Sequence, residues 1–124
     1  ITPVPLHVRR LRKRGFNQAY LLIRKWRKIA EYFDVCLTAQ IERELLKRNR
    51  DTSAQVGMKK AERRKNVKNA FEVINPSKVK GKRILLVDDV FTTGSTSDEC
   101  AKVLMKSGAV HVDVITLVRA DRRI

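Results

Sequence analysis

The sequence predicts an α/β protein built on an open, mainly parallel twisted sheet flanked by helices. Three observations carry that expectation. RILLVDD, residues 83–89, is a short branched apolar run between charged flanks, the pattern of a strand buried on both faces. TSDECAKVLMKSG, residues 96–108, follows it with helical spacing of apolar positions. VHVDVITLV, residues 110–118, is a second branched strand, so the order is that of a right-handed parallel crossover.

The elements are read in order from the N-terminus. ITPVPL is a short strand, and Pro3 and Pro5 suit its start or an edge position, since neither can donate to a central ladder. HVRRLRKRG is a basic loop ending at Gly15. Asn17 can cap the helix that follows. Across residues 16–33, Ala19, Leu22, Ile23, Trp26, Ile29, Ala30 and Phe33 fall on one face, which predicts a single helix with Tyr20 and Trp26 as packing residues. VCL (35–37) and ERELLKR (42–48) are short strand candidates. NRDTSAQVGM is turn-rich, and KKAERRKNVKNA has helical composition but little apolar face, as an exposed, mobile segment would. FEVI is a strand and NPSKVKGK a loop. In the helix after RILLVDD, Thr96 with Glu99 predicts a capping box, Cys100, Val103 and Leu104 face inward, and Gly108 ends it.

With 124 residues, 43% of them apolar, the chain is expected to form a single domain, 1–124, around one modest core. No apolar run approaches the roughly 18 residues of a membrane span. No secretory leader is visible, and the chain begins without Met, so an upstream module is expected to precede it. Cys36 and Cys100 have no zinc-type spacing and are expected to be reduced, mostly buried thiols of a cytoplasmic protein.

The formal charge is +15, from 28 Lys and Arg against 13 Asp and Glu. Nine of those cations, and no acidic residue, lie in the first 30 positions. Such an excess attracts polyanions: a nucleic acid backbone, or a small ligand carrying several phosphates. Charge alone does not separate the two.

The stretch ILLVDDVFTTGST (84–96) carries the chemistry. Its loop lies between a strand end and a helix N-terminus, so the amides of Thr93, Gly94, Ser95 and Thr96 can converge on one anion with the helix dipole behind them. Gly94 allows close backbone approach, and the hydroxyls of Thr92, Thr93, Ser95 and Thr96 add donors. Asp88 and Asp89 would repel that anion, so they must face vicinal hydroxyls, Mg²⁺, or both. A phosphate on one side and a diol on the other describe a ribose 5-phosphate. A Walker B strand would require a GxxxxGK[ST] partner, which is absent. A receiver domain carries its acidic strand near its start, and only 35 residues follow Asp89.

ILLVDDVFTTGST resembles the motif by which type I phosphoribosyltransferases bind 5-phosphoribosyl-1-pyrophosphate (PRPP). With PVPLHVRRLRKRGFNQA and RDTSAQVGMKKAERRKNVKNAF ahead of it, the whole chain is similar to the ComF family of competence-associated, phosphoribosyltransferase-like proteins. The resemblance implies a type I phosphoribosyltransferase-like fold and a set of roles. Asp88 and Asp89 would hold the ribose hydroxyls directly or through Mg²⁺, and Thr92, Thr93, Gly94, Ser95 and Thr96 the 5-phosphate. The basic loop, with His7, Arg14, Gly15, Asn17 and Gln18, stands where pyrophosphate binds. Thr52 to Phe71 corresponds to the flexible loop that closes over the ligand, with Gln55, Arg63 and Asn66 matching the family pattern. An arginine such as Arg63 reaching pyrophosphate would offset charge on the leaving group. Family members often carry an upstream cysteine-rich zinc module, for which no residues are present here.

The implied reaction is displacement of pyrophosphate at C1 of PRPP with Mg²⁺ as Lewis acid. Purine-specific type I enzymes place an aspartate where this chain has Thr92, so no base for a purine proton is evident and the acceptor stays open. His7 is expected near pyrophosphate, and His111 in a structural position. Two function classes follow. One is a PRPP-dependent transferase. The other is a non-catalytic accessory protein that binds PRPP or a nucleotide and meets single-stranded DNA, or a protein of the uptake machinery, through its basic face. Only Phe16 and Phe91 among seven aromatics interrupt the basic loop and the PRPP motif, a sparse stacking platform for single strands.

Overall fold

The computed structural model describes residues 1–52 and 60–120. Its elements run β1 (Thr2–Pro3), α1 (Val8–Arg14), α2 (Gln18–Ile23), α3 (Trp26–Tyr32), β2 (Leu46–Arg48), α4 (Lys60–Val67), β3 (Phe71–Val73), a 3₁₀ turn (Pro76–Lys78), β4 (Arg83–Phe91), α5 (Ser95–Lys106) and β5 (His111–Arg119). The mixed α/β architecture expected from the sequence is the one observed.

β4 is the centre. β1 pairs with it in parallel, Thr2 opposite Leu86, and β5 pairs in parallel on the other side, Arg83 opposite His111 through Phe91 opposite Arg119. β2 and β3 form an antiparallel pair, Lys47 opposite Glu72. A parallel bridge between His7 and Arg48 brings β2 beside the chain that continues β1. The strands form two sheets, one in the order β1, β4, β5 with β1 at its edge and one of β2 with β3, linked among the described residues only by that bridge. The prolines sit as expected, Pro3 at the end of a two-residue strand and Pro5 beyond it.

Alternation along β4 divides the packing. Ile84 and Leu86 join Val79, Cys100, Leu104 and Phe71 in the main core under α5. Val87, one step out of phase, is buried with Ala19 and Ile23 of α2, which packs against β4. β5 leaves Ile115, Leu117 and Val118 exposed. No helix among the described residues is long and apolar enough to cross a membrane.

Four local expectations are corrected. The basic stretch after His7 is a helix, not a loop. His7 Nδ1 accepts the Arg9 amide at 3.3 Å as an N-cap, Arg12, Lys13 and Arg14 complement the C-terminal dipole, and Gly15 closes it at φ 80°. The single helix over 16–33 is two, breaking at Arg24 and Lys25. No proline or glycine marks the break; burial of Ala19 and Ile23 fixes α2, whereas α3 buries no side chain. VCL is irregular chain without a partner strand, and its Cys36 is exposed, while Cys100 is buried as expected. The capping box is absent because the N-cap lies two residues earlier, at side-chain-free Gly94 in place of Thr96. Glu99 instead accepts the Asn69 amide at 2.9 Å, tying the end of α4 to α5.

Candidate functional site

The site is assembled where β4 runs into α5. β4 extends through Phe91, so Asp88 lies within the ladder, opposite Thr116. Alternation puts Asp88 on the face of Ile84 and Leu86, toward Cys100 and Arg48. Asp88 Oδ1 accepts the Asp89 amide at 3.0 Å and Asp89 Oδ1 accepts the Val90 amide at 3.0 Å. Burial raises the Asp88 pKa to about 7, with the neighbouring Asp89 carboxyl adding to the rise and the positive Arg48 opposing it. Burial also pushes the Cys100 thiol far up, with the Asp88 charge second, so this cysteine is an inert core residue.

The turn after the aspartates is shaped by Gly94, at φ 77°. A Cβ there would meet the Phe91 ring at 2.9 Å, so both conformation and space require glycine. Thr93 Oγ1 and Ser95 Oγ lie 2.8 Å apart, and Thr93 Oγ1 caps the Ser95 amide at 3.5 Å. α5 then runs for 12 residues with its N-terminus toward this turn.

A cavity of about 140 Å³ opens beside the turn, walled by Thr92, Thr93, Ser95 and Thr96 on one side and by Arg10, Arg48, Arg63 and Asn66 on the other. Arg63 Nη1 donates to Thr92 Oγ1 at 3.3 Å, across 29 residues of sequence. Its Nε is sealed from solvent with no hydrogen-bond partner among the described residues. Arg48 is only 9% exposed. Its Nε donates to Thr52 Oγ1 and its Nη2 to the Thr52 carbonyl, both at 3.0 Å, and the guanidinium lies 5.2 Å from the Phe71 ring centroid. Desolvation, then the nearby Arg10 charge, lowers the Arg48 pKa. Arg10 is paired with Asp51 at 3.4 Å.

The expected residues divide into groups. Arg63, Asn66, Thr92, Thr93, Ser95 and Thr96 meet at the small cavity, with Asp88 and Asp89 immediately before it on β4. His7 and Asn17 line a different cavity of about 360 Å³, between α1, α2 and β2, to which Tyr20 and Arg43 also contribute. Asn17 there donates to the Val4 carbonyl at 3.0 Å and caps α2. Arg14 and Gln18 bond each other at 2.9 Å on the exposed surface, beside Gly15. Gln55 lies outside the described residues. The sequence did not single out Arg10 or Arg48, and named Thr52 only as the start of the closing loop. Arg10 was one of many cations, and Arg48 sits in a two-residue alternation, LKR, whose buried positions are Leu46 and Arg48.

The donor set fits Mg²⁺ in one respect. Of two adjacent carboxyls, Asp88 has its pKa raised to about 7 chiefly by burial, with Arg48 as the opposing positive charge. The described residues contain no cluster of three or more metal-ligating side chains, so the protein would supply one or two ligands and leave the rest to water and ligand oxygens, as Mg²⁺ sites commonly do.

A parallel sheet, an acidic strand end, and a Thr/Gly turn feeding a helix define the phosphoribosyltransferase class. The phosphoribosyl transferase domain family matches residues 27–124, and the chain belongs to that family. Its curated relatives sharpen the placement. It is 39% identical to competence protein F of Haemophilus influenzae over 97% of its own length and 50% of that protein's. It is 39% identical to the DNA utilization protein YhgH of Escherichia coli K12, over 96% of the chain and 48% of the relative. It is 34% identical to competence protein ComFC of Bacillus subtilis, over 97% and 44% respectively. The chain thus spans about half the length of the curated relatives it matches. No solved structure gives a significant match.

Proposed function

We propose that this domain binds PRPP, or a ribose 5-phosphate portion of it, with Mg²⁺, in the service of a competence or DNA-utilization protein. The single observation behind this reading is the continuity of β4 and α5. One strand carries Asp88 and Asp89, and the turn that leaves it presents Thr92, Thr93, Ser95 and Thr96 with α5 amides behind them. The turn supplies donors for the 5-phosphate. The carboxylates supply acceptors for the ribose diol, and a bound Mg²⁺ would neutralise them and polarise pyrophosphate. A cation held by Asp88 and Asp89, and hydrogen bonds from the diol, would favour the ionised form of Asp88.

Whether the bound ligand is turned over depends on an acceptor. Thr92 offers no carboxylate to a purine proton, and its hydroxyl is engaged by Arg63. Binding is therefore the core of the proposal, with transfer to an acceptor as its catalytic extension. The test is the double variant Asp88→Asn with Asp89→Asn, checked for an unchanged fold by circular dichroism. Loss of Mg²⁺-dependent PRPP binding supports the ribose and metal assignment. Undiminished affinity rejects it.

A further inference from the structure

The cavity beside the Thr92–Thr96 turn is walled on one side by hydroxyls and on the other by three guanidinium groups from three separate elements. Arg10 comes from α1, Arg48 from β2 and Arg63 from α4. No carboxylate lines it among the described residues. Asp51 engages Arg10 from outside it. Its 140 Å³ is well below the roughly 300 Å³ at which whole small-molecule pockets begin, so it suits one group of a ligand, not a nucleoside. Arg48 is buried to 9% exposure beside the Arg10 charge, and the nearby Asp51 and Asp88 charges offset that cost only in part. The sealed Nε of Arg63, which has no partner among the described residues, is a donor awaiting an acceptor.

We propose that Arg10, Arg48 and Arg63 close over the turn as the second wall of a phosphate-monoester site, so that Arg63 serves the sugar phosphate and not the pyrophosphate. The proposal rests on the reading above that the turn takes a ribose 5-phosphate. The turn amides and hydroxyls hold the phosphate from below. Arg10 and Arg63 meet its remaining oxygens with charge-assisted hydrogen bonds, which are shorter and stronger than neutral ones. Arg48, pinned by Thr52, sets the depth of the pocket and keeps its field positive despite nearby Asp88. Pyrophosphate, on the far side of the ribose, would then depend on other groups.

The experiment is calorimetric titration of the full chain with ribose 5-phosphate and, separately, with pyrophosphate and Mg²⁺, at about 0.15 M salt to suppress diffuse charge effects. The variants are Arg10→Gln and Arg63→Gln, both at partly exposed helix positions, with melting curves to confirm folding. The expected result is a loss of about tenfold or more in ribose 5-phosphate affinity for each, with pyrophosphate affinity within about twofold of the parent. Pyrophosphate affinity falling as much as or more than that for ribose 5-phosphate overturns the proposal, as does unchanged ribose 5-phosphate binding in both variants. A parent chain that does not bind ribose 5-phosphate overturns the underlying reading instead, and the inference with it. Arg48→Lys gives an independent check: a folded variant with parental ribose 5-phosphate affinity removes Arg48 from the site.

Discussion

Asp88 and Asp89 are joined at 3.0 Å, the Oδ1 of the first accepting the backbone N–H of the second. One hydrogen bond does not offset the cost of two neighbouring carboxyls at a buried strand end. The Asp88 pKa accordingly stands at about 7 against an ordinary 3.8, from burial first and from the Asp89 carboxyl second.

Because the folded pKa is raised, the folded chain keeps a proton that the unfolded chain has released. This group's contribution to stability therefore falls as pH rises from about 4 to about 7 and is level above that. Asp88→Asn removes the effect. Relative to the parent, the variant should gain stability between pH 5 and pH 8, on the order of 1–3 kcal/mol. Urea denaturation at both pH values measures it; a constant difference between the two proteins would contradict the assignment.

The same proton must leave when a divalent cation binds the carboxylates. Mg²⁺-dependent ligand binding at pH 6 should release up to about one proton and strengthen toward pH 7. Titrations in two buffers of different ionisation enthalpy read the proton count. No buffer dependence would show that Asp88 is not the ligand-facing carboxyl.

Gly94→Ala should destabilise the chain by about 1–3 kcal/mol, since alanine is strained at φ 77° and its Cβ would press on Phe91 at 2.9 Å. The turn carries the phosphate donors, so ribose 5-phosphate affinity should fall with it. Thermal melts and a titration on the folded fraction check both effects. Leu104→Ala, deep in the core under β4, should cost about 2–5 kcal/mol while leaving affinity intact in the folded protein.

The central strand, its helix and the parallel partner were legible because each has a strong local signature: RILLV is branched and unbroken, and Cys100, Val103 and Leu104 mark one helical face. The turn was legible because glycine and hydroxyl residues there have few other uses. Less was legible where long-range packing decides. The break between α2 and α3 at Arg24 and Lys25 follows from what Ile23 buries, not from a helix breaker. Helix α1 hides in a run of cations because its cap is a histidine, an uncommon N-cap. The arginine wall was invisible for a related reason. Arg48 is read as one more surface charge until β2 pairs with β3 and turns it inward, and Arg10 joins it only because His7 bridges to Arg48. Glu99 satisfies the Asn69 amide, 30 residues away, in place of the local cap its spacing suggested.

PRPP binding at the β4–α5 turn is tested most directly by calorimetric titration of the parent chain with PRPP, with and without Mg²⁺, at about 0.15 M salt. The expected result is saturable binding with a Kd on the order of micromolar, about −8 kcal/mol, that requires the cation. Absence of binding under both conditions, by a chain shown to be folded, would contradict it.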